Sequence, residues 1–208
     1  MRIAWMFILA GCTGWAQGAL QNSEFYWLFG GVTSSSSVVP GTDAVISGSA
    51  GFALQFGYDY QLKSTKVGNF WIEAPMTYTF SGTGTVSNVS SPTLGFIASV
   101  DRNNFLLTPG LRLKSPTYGR VSIYGALGGG FGTFSKIETV VTEANGSVLA
   151  DYRVHVSPAF DFAGGIDLRL SRLLSLRGEG RDFVTAANLG GVSGHNHPVF
   201  LAGLAFHF

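Results

Sequence analysis

The residues best spaced for nucleophilic chemistry are His155 and Ser157, which are separated by one residue. On a β-strand, residues two apart point to the same face, so this imidazole and this hydroxyl would lie near hydrogen-bonding distance. Asp161 and Asp167 lie an even number of residues from His155 and Ser157, so all four side chains would share one face of the strand. We expect this charged face to point into the interior of the folded protein. A His–Ser pair on that face would not reach a membrane lipid, and we predict no catalytic residue here.

Two other patterns have the residue types of a ligand site without its remaining members. His195 and His197 lie in a predicted surface loop with no nearby cysteine, and no carboxylate is closer than Asp182. Zinc takes three or four protein ligands, so we predict no metal site. The glycine-rich run at 128–132 is not followed by the Gly-Lys-Ser/Thr of a phosphate-binding loop. We interpret it as strand glycines that make room for large neighbours, and we expect no cofactor.

Composition narrows the class of protein. Charged residues make up 12% of the 208 residues, aromatic residues 13%, and glycine accounts for 29 positions. Soluble domains carry about 25% charged residues, so this balance disfavours a soluble enzyme and a disordered chain alike. The formal net charge is +1, which offers no basic field for nucleic acid. No stretch after the amino terminus has the ~18 consecutive apolar residues of a membrane helix, so any crossing would use strands.

The first residues have the features of an export signal. Residues 1–18 contain Arg2, a short apolar core and small residues near the predicted cleavage point, so we predict a secretory leader. Residues 9–12 also resemble a lipobox, in which Cys12 would be lipidated after cleavage. Both interpretations imply export in a double-membraned bacterium. Residues 19–208 would then form one mature domain.

The remaining sequence alternates strand-like runs with breaks of two lengths. Alternating apolar and polar residues predict eight strands, at 24–32, 47–62, 69–80, 103–114, 120–134, 156–170, 173–184 and 198–208. The breaks between them are alternately long and short, which is typical of outer-membrane barrels. The long ones are 33–46, 81–102, 136–155 and 185–197. We therefore predict an all-β fold: a closed antiparallel up-and-down transmembrane β-barrel of about eight strands.

Charged residues fall on the strand faces opposite the aromatic ones. A basic residue at the midplane of a membrane costs about 2–4 kcal/mol, so these side chains must point into the barrel and pair there. The predicted lumen charge network comprises Asp59, Glu73, Arg112, Asp161, Asp167, Arg169, Arg177, Glu179 and Arg181. Two neighbouring registers of the hairpin formed by the sixth and seventh strands remain open. One places Asp167 opposite Arg177; the other places Asp161 opposite Arg181, with Asp167 diagonal to Arg177. Eight strands enclose only enough space for side chains, so we expect a filled lumen.

The carboxyl-terminal strand carries a resemblance to a known family. Gly203, Phe206 and Phe208 resemble the carboxyl-terminal signal of bacterial outer-membrane barrels, with Ala202 where a polar residue is usual. The mature chain as a whole resembles the small eight-stranded barrels of the outer-membrane protein A, X and opacity type. The resemblance implies an outer-membrane location, surrounding lipid and recognition by the barrel-assembly machinery. It also implies a monomer without enzymatic activity, whose extracellular loops meet an unknown ligand in a structural or adhesion-like role.

Two other functions remain open at this point. One is a small channel, which the narrow interior disfavours. The other is a lipid-modifying barrel enzyme, because His155 and Ser157 resemble the His-x-Ser pair of the outer-membrane lipid A deacylases. That family follows the serine with asparagine and orients the histidine with an acidic residue, whereas this sequence has Pro158 after the serine.

Overall fold

A computed structural model describes residues 22–32, 37–38, 45–47, 51–87, 100–142, 148–185, 188–189, 192–193 and 196–208. The predicted leader at 1–18, Cys12 and His195 lie outside these ranges. None of the described segments is a helix with the length and hydropathy needed to cross a membrane.

Eight long strands in the described part of the chain form the architecture. They are β1 (Ser23–Val32), β2 (Gly51–Ser64), β3 (Asn69–Ser87), β4 (Val100–Leu107 continued by Gly110–Lys114), β5 (Val121–Thr142), β6 (Val148–Arg169), β7 (Leu174–Thr185) and β8 (Asn196–His207). Each strand pairs antiparallel with the next along the chain, and β1 pairs with β8 as well as β2. The sheet is therefore a closed up-and-down barrel, which confirms the predicted fold class.

Four short strand pieces lie between these long strands. They are Ser37–Val38, Val45–Ser47, Asn188–Leu189 and Val192–Ser193. Val45 pairs with Ser87, so part of the predicted loop at 33–46 extends the sheet beside β3. The barrel thus has two different ends. The loop end is where these short pieces lie, and the turn end has the start of β1, the end of β8 and the turns at 65–68, 115–120 and 170–173.

The prediction of a long loop at 136–155 was wrong in extent. The β5–β6 hairpin continues well past Phe134, with Lys136 opposite Arg153 and Thr142 opposite Val148. The segment 137–142 is rich in β-branched residues, whose stiff side chains favour extended backbone even where the sequence is partly polar. β4 is interrupted at Thr108 and Pro109, since proline has no N–H for the strand ladder.

Where the structure describes side chains, they alternate between lumen and outer surface along the strands. In β1, Glu24, Tyr26 and Leu28 are buried in the lumen, whereas Phe25 and Trp27 are exposed. Many large apolar side chains are exposed in this way; Trp27, for example, is 50% exposed and Phe160 is 66% exposed. An apolar surface of this extent would be unfavourable in water. The outer surface is therefore a belt for contact with lipid.

Eleven of the exposed aromatic residues lie towards the two edges of this belt, and Trp27, Phe29 and Phe162 lie between them. Towards the loop end the exposed aromatic residues are Phe52, Phe80, Phe131, Phe160 and Phe200, and towards the turn end Phe25, Tyr58, Tyr60, Phe70, Phe206 and Phe208. Neighbouring rings pack against each other: the ring centres of Phe52 and Phe80 are 6.2 Å apart, and those of Tyr58 and Phe208 are 6.4 Å apart. Such paired girdles are typical of barrels whose ends lie at the two membrane interfaces.

The lumen has two layers. Near the loop end it is filled by apolar side chains, chiefly Leu28, Val32, Leu106, Phe134, Phe183, Val199 and Leu201. The middle of the lumen is filled by charged side chains, and polar and charged side chains continue from there towards the turn end. Since the apolar layer covers the loop-end side, the charged layer is shielded from that side of the barrel.

Candidate functional site: a buried charge network in the barrel

Ten charged side chains meet inside the barrel, and each is at most 7% exposed. The bases are Arg112, Lys114, Arg177 and Arg181, and the acids are Glu24, Asp59, Glu73, Asp161, Asp167 and Glu179. They come from six strands and reach the same space because each occupies a lumen-facing position of its strand. Close pairing offsets part of the cost of removing these charges from water.

Arg177 is the hub of the network. Its Nε lies 2.7 Å from Asp167 Oδ1 and its Nη2 lies 2.9 Å from Asp167 Oδ2, which is a two-pronged contact. Nη2 also donates to Glu24 Oε2 at 2.6 Å, and Nη1 donates to Asp59 Oδ2 at 3.2 Å. One guanidinium therefore joins β1, β2, β6 and β7, which only a planar group with several donors can do.

Two further arginines extend the network across the lumen. Arg181 donates to Asp161, to Glu73 Oε1 at 2.9 Å and to Glu179 Oε1 at 2.8 Å. Arg112 pairs with Asp59, and its Nη2 lies 2.7 Å from Glu73 Oε2. Asp59 is thus shared between Arg112 and Arg177, and Glu73 between Arg112 and Arg181, so the ion pairs form one connected set.

Two tyrosine rings hold the arginines in place. The guanidinium of Arg112 lies 5.2 Å from the ring centre of Tyr26 and 4.4 Å from that of Tyr124. The guanidinium of Arg177 lies 4.7 Å and 5.2 Å from the same two rings. The ring faces attract both cations. Tyr124 also donates its hydroxyl to Glu179 Oε2 at 2.7 Å, so this ring is fixed by a hydrogen bond.

Neutral polar groups complete the network on its loop-end side. Gln55 donates to Glu179 Oε1 at 2.8 Å, and Thr77 donates to Gln55 Oε1 at 2.8 Å. All three side chains are at most 4% exposed. Buried polar groups are costly when unpartnered, so these contacts stabilise the boundary between the charged and apolar layers.

Eight of the nine residues predicted for the lumen lie in this network. Arg169 does not: it has the lumen-facing parity but lies exposed at the turn end, where it donates to the Ser171 and Arg172 carbonyl oxygens. Its position, last in β6, places it at the mouth of the barrel. Of the two registers considered, the structure has Arg177 opposite Asp167, and Arg181 reaches Asp161 diagonally.

The sequence prediction missed Glu24 and Lys114. Both lie at strand ends, where a charge is compatible with a turn as well as with the lumen. Lys114 Nζ lies 2.8 Å from Glu24 Oε1 and 2.7 Å from Asp167 Oδ2. The alternation of strand faces could have identified both residues. Glu24 is adjacent to the outward-facing Phe25 and therefore lies on the opposite face, and Lys114 lies two residues after Arg112 and therefore shares its face.

The histidine motifs of the sequence have different surroundings. The register places His155 opposite Phe134, whose side chain is buried in the lumen, and Ser157 is 4% exposed. The ring of His197 lies 3.1 Å from the hydroxyl of Thr185. Among the residues that the structure describes, no group of three or more histidine, cysteine or acidic residues is arranged to hold a metal ion.

Comparison with known proteins supports the fold. No protein-family model and no curated protein matches the sequence. The structure is similar to Neisserial surface protein A, with a TM-score of 0.59 and 13% identity over 92% of this chain and 100% of that one. It is also similar to the outer membrane protein OprG from Pseudomonas aeruginosa, with a TM-score of 0.57 and 12% identity over 91% of this chain and 99% of that one. The fold, with its lipid-facing belt, is that of a small outer-membrane β-barrel, in agreement with the predicted location.

Proposed function

We propose that this outer-membrane barrel is sealed along its axis and has a structural or surface-interaction role, exerted by its loop-end segments. The observation that carries this proposal is the filled lumen. Ten buried charged side chains and an apolar layer occupy the space that a transport pathway would need. A barrel of eight strands has an interior only wide enough for side chains to fill.

The connected ion pairs argue against a small channel. A solute passing along the axis would have to separate Arg177 from Asp167 and Arg181 from Asp161. Each of these arginines is tied to carboxylates on several strands, so local movement of one side chain does not open a path. Beyond them, Leu106, Phe134 and Phe183 close the lumen with apolar groups.

A lipid-modifying activity at His155 and Ser157 has less support. An enzyme acting on membrane lipid needs its reactive groups on the outer surface of the barrel. Ser157 is buried, and the residue opposite His155 is the lumen-facing Phe134. The burial of Ser157 in the lumen therefore favours the structural role over lipid modification.

The loop-end connections offer the surface for an extracellular partner. The sequence at 33–50, 88–99, 143–147 and 186–195 is dominated by small and polar residues, as in exposed binding loops. Three of these connections, 33–50, 88–99 and 186–195, are longer than the turn-end connections at 65–68, 115–120 and 170–173. This asymmetry supports a recognition surface at the loop end of the barrel.

Shortening two of these connections tests the proposed role. We expect cells that display the wild-type protein to adhere to immobilised extracellular-matrix proteins, or to one another, above cells carrying an empty vector. Replacing 143–147 and 186–195 by two-residue turns should abolish this gain, because these segments carry the proposed recognition surface. The fold should be kept, because the side chains that fill the lumen are unchanged. The measurement is cell adhesion at equal amounts of folded barrel, judged by the mobility shift between boiled and unboiled samples.

The matched control changes the other end of the barrel. Replacing the turn at 65–68 with a different short turn should leave adhesion as in the wild type. A loop-shortened protein that adheres as well as the wild type, or a wild type that adheres no better than the vector, would refute the proposed role.

A further inference from the structure

A cavity opens at the turn end of the barrel, below the charge network. Its volume is about 110 Å³, and its lining includes Glu24, Trp71, Lys114, Arg169, Ser175 and His207. The lining is polar apart from the tryptophan ring, and the cavity faces away from the loops. A small solute can reach it from the turn end without crossing the lumen.

Three of the lining residues form a hydrogen-bonded chain. Ser175 Oγ lies 2.7 Å from His207 Nε2, and His207 Nδ1 lies 3.2 Å from Glu24 Oε1. The hydroxyl is thus on one imidazole nitrogen and the carboxylate on the other. This is the order of contacts in which an imidazole accepts the serine proton while an acid orients the ring.

The closed barrel brings these residues together from three adjacent strands. Glu24 of β1 lies directly opposite His207 of β8. Ser175 of β7 lies opposite Ala205, so His207 is its diagonal neighbour on the lumen face. The chain of contacts therefore depends on the β1–β8 seam that closes the barrel.

The acid and the base are both held in position. Glu24 Oε1, the oxygen near His207, also accepts from Lys114 at 2.8 Å, and Glu24 Oε2 accepts from Arg177 at 2.6 Å. The backbone N–H of His207 donates to the Leu173 carbonyl oxygen at 2.9 Å. A carboxylate fixed by two cations cannot turn away from the imidazole, so the orientation is preorganised.

We propose that Ser175 is the nucleophile of a turn-end acyl-ester hydrolase site, with His207 as general base and Glu24 as the positioning residue. The Ser175 hydroxyl would add to the ester carbonyl as its proton passes to His207 Nε2. The carbon–oxygen bond to the leaving alcohol then breaks, and His207 returns the proton to that alcohol. Water, activated by the same imidazole, releases the acid and restores the serine hydroxyl.

The cavity defines the class of substrate. A volume of about 110 Å³ accommodates a short acyl group such as acetyl, with the alcohol part extending out of the mouth. Lys114, Arg169 and Asn69 line the same cavity. In the proposed site, N–H groups of these side chains would stabilise the oxygen that becomes negative during attack. The expected substrate is therefore a short-chain ester of a polar alcohol in the turn-end compartment.

This inference goes beyond the loop-mediated role and departs from the sequence-based expectation of a protein without enzymatic activity. It also uses residues other than His155 and Ser157. The three residues are spread from position 24 to position 207, so no local motif marks them.

A phosphonylating probe tests the site directly. Folded wild-type protein in detergent micelles is treated with a small alkyl fluorophosphonate, which forms an oxygen–phosphorus bond to an activated serine and releases fluoride. We expect mass spectrometry to locate the adduct on Ser175, and we expect His207→Gln to slow labelling at least 100-fold. Hydrolysis of p-nitrophenyl acetate should be lost in the same variant.

Ser157→Ala is the matched control, because Ser157 is a lumen serine with 4% exposure that does not line this cavity. This variant should be labelled at Ser175 as in the wild type. Each sample is checked for folding by its mobility before and after boiling, so a loss of labelling is not confused with unfolding. Folded wild type that stays unlabelled at Ser175, or a folded His207→Gln variant labelled at the wild-type rate, would overturn the proposal.

Discussion

Arg177→Ala is expected to lower the free energy of unfolding by about 3–5 kcal/mol, the range found when one partner of a buried ion pair is removed. Arg177 is fully buried and contacts Asp167, Glu24 and Asp59. Its loss leaves these carboxylates close together with fewer cations between them. The measurement is the urea midpoint of the folded barrel in micelles or vesicles, followed by the mobility difference between folded and unfolded protein.

Two further variants show whether position and geometry matter. Arg120→Ala removes an exposed arginine from the turn at 115–120, and it should change the free energy of unfolding very little. Arg177→Lys keeps the charge but cannot make the two-pronged contact with Asp167, so its loss should fall between the other two. If Arg177→Ala and Arg120→Ala had equal effects, the network would not be a stabilising element of the barrel.

Gly203→Ala is expected to impair closure of the barrel. A Cβ atom at this position would lie 2.1 Å from the Trp27 carbonyl oxygen and 2.8 Å from the Leu28 Cα atom. Both are backbone atoms of β1, which cannot move aside without separating the β1–β8 seam. Overpacking of this kind costs about 3 kcal/mol, and we expect a large fall in the yield of heat-modifiable protein after refolding.

The same substitution one strand away is the control. A Cβ atom at Gly178, which faces the outer surface in β7, meets no atom within 4 Å. Gly178→Ala should therefore refold as well as the wild type, since alanine also restricts the unfolded chain. Equal yields from the two variants would mean that the close approach at Gly203 does not limit closure.

Parity along each strand was enough to predict most of the network. Asp59, Glu73 and Arg112 each lie opposite the aromatic face of their strand, and a charge facing lipid is too costly to occur there. The same rule failed for Arg169. Alternation along a strand predicts which face a side chain is on, but it does not predict how far along the barrel axis the residue lies. This axial position depends on strand tilt and on the turn residues, which the sequence pattern does not define.

The contacts of Ser175, His207 and Glu24 were beyond prediction from sequence for a related reason. They require the register of β7 on β8 and of β8 on β1 at once, and a shift of one residue reverses the face of every side chain. The extended β5–β6 hairpin was missed because its polar residues suggested a loop. In the structure their backbones pair with each other up to Thr142 and Val148.

The most direct test of the sealed lumen is the conductance of purified wild-type protein in a planar lipid bilayer. Insertion is verified in parallel by reconstituting the same preparation into vesicles and measuring its boiled and unboiled mobility. We predict no steady current above that of the bare bilayer, because the linked ion pairs and the apolar layer leave no continuous path. Long-lived ohmic openings would contradict the account. Such openings would be expected to favour cations, because the network has six acids against four bases.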